Sequence, residues 1–173
     1  MMRKIKMLKK AIAIAISFSA LSAGASTQVP INGVVQSRCV ITTDTAGVYG
    51  NPNAYTLSTA PADGGQLAIV RFDVTLADAY YAEITAPSEF STSPTLPDVV
   101  TWTGDTTVTT VSDATGMANY ETNKVELGMT DKYDLTATGS TWFSTSSTAT
   151  MGGNKAFPGG SYTAMVEAQC IAQ

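Results

Sequence analysis

Two cysteines constrain this chain more than any other feature: Cys39 and Cys170 are its only ones, and 131 positions separate them. A bridge between them needs Cα atoms within about 7 Å, so the two ends of the folded domain must lie side by side. Pairing is the default in an oxidising compartment, and the N-terminus directs the chain to one. Arg3, Lys4, Lys6, Lys9 and Lys10 make a positive region, Ala11 to Leu21 an apolar run, and Ala23-Gly24-Ala25 a small-x-small cleavage pattern. That run falls short of the roughly 20 residues a membrane-spanning helix requires. Residues 1–25 therefore read as a cleaved signal peptide and 26–173 as a single domain outside the cytoplasm with no membrane span. Closing so long a loop stabilises by on the order of 5 kcal/mol in the chain-entropy model.

Removal of the signal changes the charge. Five of the ten Lys and Arg leave with it and none of the fourteen acids does, so five against fourteen gives a net charge of −9. The remaining cations, Arg38, Arg71, Lys124, Lys132 and Lys155, are scattered. Nucleic acid and anionic membrane surfaces need clustered basic residues and are not expected partners.

Short β-branched and aromatic runs separated by turn residues predict an all-β sandwich of about 7–9 strands. The first run, Val29 to Ile41, alternates, with Val29, Ile31, Gly33, Val35, Cys39 and Ile41 on the face predicted to be buried. The last, Ser161 to Ile171, places Tyr162, Ala164, Val166, Ala168 and Cys170 on one face. Both cysteines thus point inward, one from the first strand and one from the last. Between them strands are expected near 54–59, 67–76, 80–85, 99–102, 107–111, 119–127 and 132–138. Val70, Phe72, Val74 and Leu76 form the clearest apolar face. Gly104-Asp105 reads as a turn, and residues 139–155, rich in Ser, Thr and Gly, as a long loop or irregular edge.

The chain contains no histidine. That removes the usual general base near neutral pH and the commonest metal ligand, and a disulfide removes the thiolates. No carboxylate pair is marked out by local sequence. Asp113 and Glu121 beside Tyr120 read as solvated acids, and Asp44, Asn53, Asp105 and Asp113 as turn residues rather than calcium ligands. The expectation is a protein that is not an enzyme, with no cofactor and no metal. Trp102, in a strand, reads as a packing residue. Trp142 and Phe143, in a polar stretch, are the candidate ligand-binding pair.

The segment Ile31-Asn32-Gly33-Val34-Val35-Gln36-Ser37-Arg38-Cys39-Val40-Ile41 resembles the opening strand of chaperone–usher fimbrial subunits, apolar-x-G-x-V-x-x-x-C-x-apolar. Gly160, fourteenth from the C-terminus and ahead of an alternating strand, is similar to the glycine that precedes their chaperone-binding strand. The resemblance implies an incomplete immunoglobulin-like sandwich whose missing strand comes from the next subunit, with other pilus subunits and a periplasmic chaperone as partners. Val29, Ile31, Gly33 and Val35 would then be donor or edge-strand contacts, and Tyr162, Ala164 and Val166 the groove wall. Three arrangements stay open: Val29–Val35 is the arm, or the domain accepts a strand without donating one, or it completes its own sandwich. A secreted adhesion domain that recognises a glycan or a protein is the alternative from another class.

Overall fold

The computed structural model describes residues 30–32 and 38–173. The chain divides into two units, Met1–Val34 and Val35–Gln173, and the fold described here is that of the second. Ten strands are present among the described residues: β1 (Cys39–Thr45), β2 (Gly50–Asn53), β3 (Thr56–Ser58), β4 (Ala68–Val74), β5 (Tyr80–Thr85), β6 (Val100–Val111), β7 (Val125–Leu127), β8 (Thr130–Asp134), β9 (Gly139–Met151) and β10 (Glu167–Ala172). They make an all-β sandwich of two antiparallel sheets. The first runs β1-β4-β9-β3-β2 with β6 on the other side of β9; the second runs β10-β5-β8-β7. No described helix is long and apolar enough to cross a membrane.

Period-two alternation explains the core. Phe72 and Val74 of β4 face Ala82 and Ile84 of β5 and Tyr133 of β8, while Arg71 and Asp73 pair with each other at 3.0 Å on the outer face. Phe143 is wholly buried at the centre, its ring 5.3 Å from Phe72 and 4.6 Å from Tyr133. Leu76, grouped with this row by sequence, lies beyond the end of β4 and is exposed. A second aromatic group surrounds Phe90, with Trp102 at 4.6 Å and Tyr162 at 5.1 Å, and pins the connections on either side of β6 and β10.

The largest departure from the sequence expectation is β9. Residues 139–155 are no loop: Gly139–Met151 is the longest strand and the axis of the first sheet, paired with β4 and β3 along one edge and β6 along the other. Its inward row is Thr141, Phe143, Thr145, Ser147, Ala149 and Met151, all buried. Half of that row carries hydroxyls, which burial permits because each is bonded. Thr145 meets the Thr106 hydroxyl at 3.1 Å, Ser147 the Tyr49 hydroxyl at 2.8 Å, and Thr141 the Met117 sulfur at 3.5 Å. Among the described residues no buried side-chain nitrogen or oxygen lacks a partner.

Three further boundaries move. The strands expected at 99–102 and 107–111 are one strand, because Gly104 is a packing residue rather than a turn: a Cβ there would stand 2.4 Å from that of Ala86. Most of 119–127 is turn, with only Val125–Leu127 a strand, and Tyr120 anchors that turn in the core, its hydroxyl accepting from the Ala137 N–H at 3.0 Å. The first strand begins at Cys39 rather than Val29. Val29, Gly33 and Val35 lie outside the described residues. Ile31, expected on a buried face, is 97% exposed without regular structure; alternation decides which residues share a face, not whether a partner covers it.

Candidate functional site

The expected staple is present: Cys39 and Cys170 are bridged, their Cα atoms 6.3 Å apart. It joins β1, the edge strand of one sheet, to β10, the edge strand of the other, so the ends of the fold meet across a seam rather than in one ladder. Among the described residues, both strands present an unpaired backbone edge to that seam. Gln173 N–H bonds the Ala79 carbonyl, so odd-numbered residues of β10 turn their amides to β5 and even-numbered ones turn theirs to the seam. Thr75 N–H bonds the Arg38 carbonyl, which by the same rule points the backbone of Cys39, Ile41 and Thr43 outward.

Upstream of β10 the chain keeps its alternation but loses its ladder. Tyr162, Ala164, Val166, Ala168 and Cys170 are all half-buried, while Thr163, Met165, Glu167 and Gln169 are exposed. The pairing with β5 nevertheless stops at Glu167–Thr85. The next hydrogen-bonding position in register would be Pro87, opposite Met165, and it has no N–H to donate. A single bridge, Thr163 to Thr92, holds the segment farther on. Between these points Ala164, Met165 and Val166 make no backbone hydrogen bond to any described residue.

Beside this stretch the seam opens into a cavity of about 300 Å³. One wall is Thr43, Thr45, Ala46 and Gly47 with Ala68 and Val70; the other is Thr163 to Val166, with Tyr49, Thr145 and Ser147 behind. Two of the three predicted groove-wall residues, Ala164 and Val166, therefore line one apolar hollow. The third, Tyr162, lies past its end, where it lines adjoining hollows with Tyr49, Leu57 and Phe157 and donates its hydroxyl to the Pro158 carbonyl.

The opposite seam is closed by polar side chains that sequence reasoning missed. Here β6 is the edge, and even-numbered residues up to Val108 point their backbone outward. The Thr106 N–H donates to Asp131 at 2.7 Å and the Val108 N–H to Glu121 at 2.7 Å. The Thr106 carbonyl accepts from the Tyr133 hydroxyl and from Lys124 Nζ. Lys124 also lies 2.7 Å from Asp105, 3.3 Å from Glu126 and 3.9 Å from Asp131. Burial alone would lower its pKa, but these carboxylates outweigh it and raise it. Burial raises the Asp131 carboxyl above its ordinary value, the Thr106 N–H and Lys124 offsetting only part of that. The carboxylates of Asp105, Glu126 and Asp131 converge as metal ligands do, but the ammonium of Lys124 already occupies their midst.

Trp142 and Phe143 do not form a joint patch. Neighbours in a strand face opposite ways, so Phe143 fills the core while Trp142 points outward. The Trp142 ring lies 5.8 Å from the Arg71 guanidinium and its Nε1 donates to Asp44 at 3.2 Å. Phe143 is corrected from a candidate binding residue to a core residue. The chain matches no protein-family model, and no curated protein or solved structure is significantly similar to it.

Proposed function

We propose that the protein is a structural subunit of a bacterial surface fimbria, exported through the periplasm and joined to its neighbours by β-strand addition along the open seam. One observation carries this reading: an alternating row of half-buried side chains, Tyr162 to Ala168, whose seam-facing backbone edge has no ladder partner among the described residues and borders an apolar cavity. A strand laid there would take up the free amides and carbonyls of Ala164, Val166 and Ala168 and drop alternate side chains between the sheets. Unsatisfied strand edges of this kind are otherwise an aggregation hazard. In the same reading Val29–Val35 of a second copy supplies the strand, with Val29, Ile31 and Val35 at alternate positions, and a chaperone covers the edge before assembly. Ile31, 97% exposed, is accessible for such a contact.

Size-exclusion chromatography of the purified periplasmic protein tests the proposal. Polymers that dissociate to monomer in the Ile31→Asp and Ala164→Asp variants are expected, because either change places a charge in the apolar contact. A wild-type protein that is a stable monomer at every concentration overturns it.

A further inference from the structure

The second sheet carries a concave surface on its outer face, away from the open seam, with an apolar floor and a polar rim. The hollow, of about 330 Å³, lies between β5, β7 and β8 and the turn Gly116–Asn123. That volume falls at the small end of pockets that hold discrete ligands. Its floor is apolar: the Tyr81 ring and Val125, a valine left half-exposed on the outer face of β7. Its rim is polar and planar. Asn119 and Asn123 stand one helical turn apart, linked by the Asn123 N–H to Asn119 carbonyl bond at 2.9 Å, and both border the hollow. Neither side-chain amide has a hydrogen-bond partner among the described residues. Across from them Asp134 has one oxygen engaged by Gln173 and the other available.

The charges narrow the ligand class. Lys132 lies 3.8 Å from the Tyr81 ring centroid and 3.6 Å from Glu83, so its cation is already matched within the protein. The lining carries one carboxylate, Asp134, against one ammonium, Lys132, so the hollow is neutral overall, and no second cation lines it to receive a phosphate, sulfate or sugar carboxylate. Amides and a carboxylate around a ring and an aliphatic side chain suit a ligand with hydroxyls on its edge and C–H groups on its face. We propose that this hollow binds a neutral hexose unit of a glycan, held by Asn119, Asn123 and Asp134 beside Tyr81 and Val125. The inference does not rest on strand addition, because none of these residues borders the seam cavity.

Saturation-transfer NMR on the purified protein tests it, with galactose, glucose, mannose and N-acetylglucosamine as probes and N-acetylneuraminic acid as an anionic one. Transfer to at least one neutral sugar at a Kd on the order of 1 mM is expected. The Asn119→Ala/Asn123→Ala variant should weaken it about tenfold or more through lost hydrogen bonds. Both positions are exposed turn residues, so the variant should keep the wild-type melting temperature, and Asp134→Asn provides an independent second test at the rim. Absence of transfer to all four neutral sugars, transfer that survives the double variant and Asp134→Asn undiminished, or a preference for N-acetylneuraminic acid overturns the assignment.

Discussion

Replacing both bridged cysteines by alanine tests how the ends of the fold are held. The bridge closes a loop of 131 residues. The chain-entropy expression assigns that loop about 17 cal/mol/K, or about 5 kcal/mol at 25 °C. Alanine preserves the inward-facing positions opposite Val74 and Ala82 and removes only the sulfurs, which adds on the order of 1 kcal/mol of lost burial. The expected loss is therefore about 5–6 kcal/mol, a large share of the stability of an ordinary domain. Urea unfolding of the monomeric fraction, followed by tryptophan fluorescence, reads it directly. With a slope of about 2 kcal/mol/M the midpoint should fall by roughly 2–3 M, and the slope should rise because the uncrosslinked unfolded chain exposes more surface. β1 and β10 belong to different sheets and share no ladder, so among the described residues only this bridge and side-chain packing on the common core tie one end of the fold to the other. A loss below about 2 kcal/mol with an unchanged slope would refute that reasoning and imply a seam already closed by other contacts.

Phe143→Ala should cost about 3–5 kcal/mol, since it removes a wholly buried ring from between Phe72 and Tyr133, whereas Trp142→Ala should cost about 1 kcal/mol; thermal unfolding of the two variants separates them. At the polar seam, Lys124→Met should cost about 3 kcal/mol by leaving the buried Asp131 carboxylate without its cation, as denaturant midpoints would show. Asp131 makes a pH-dependent prediction. Its folded pKa is raised above 3.8, so the folded state binds that proton more tightly than the unfolded one, and its contribution to stability falls as pH rises from 3.8 through the folded value. Stability measured from pH 3.5 to 7 should therefore fall for the wild type relative to Asp131→Asn, which cannot titrate, and a difference of opposite slope contradicts the assignment.

The parts of the fold that the sequence makes legible are those where polarity follows burial. Val70, Phe72 and Val74 against Arg71 and Asp73, and the alternation from Tyr162 to Cys170, both hold residue by residue. β9 is hidden because its buried row contains Thr141, Thr145 and Ser147, whose hydroxyls find partners only across the sheet or from Tyr49, Thr106 and Met117. Local composition carries no trace of partners that distant. Gly104 misleads for a related reason, since the residue that excludes a side chain there, Ala86, is far along the chain. The closing network around Lys124 is equally invisible, being assembled from the 105–106, 121–126 and 131–133 segments only once the sheets face each other. The wall residues Ala164 and Val166 could be named in advance, whereas the cavity beside them depends on the pairing with β5 ending at Thr85, short of Pro87, a register that only the folded sheet supplies.

Photo-crosslinking addresses strand addition most directly. With Ile31 replaced by a photo-crosslinking amino acid in the assembled protein, irradiation should link it to residues 43–47 or 163–166 of another chain, giving covalent dimers and ladders whose junction peptides mass spectrometry locates. Crosslinks confined to single chains, or dimers whose junctions lie outside those two walls, would contradict an open seam filled by a neighbouring subunit.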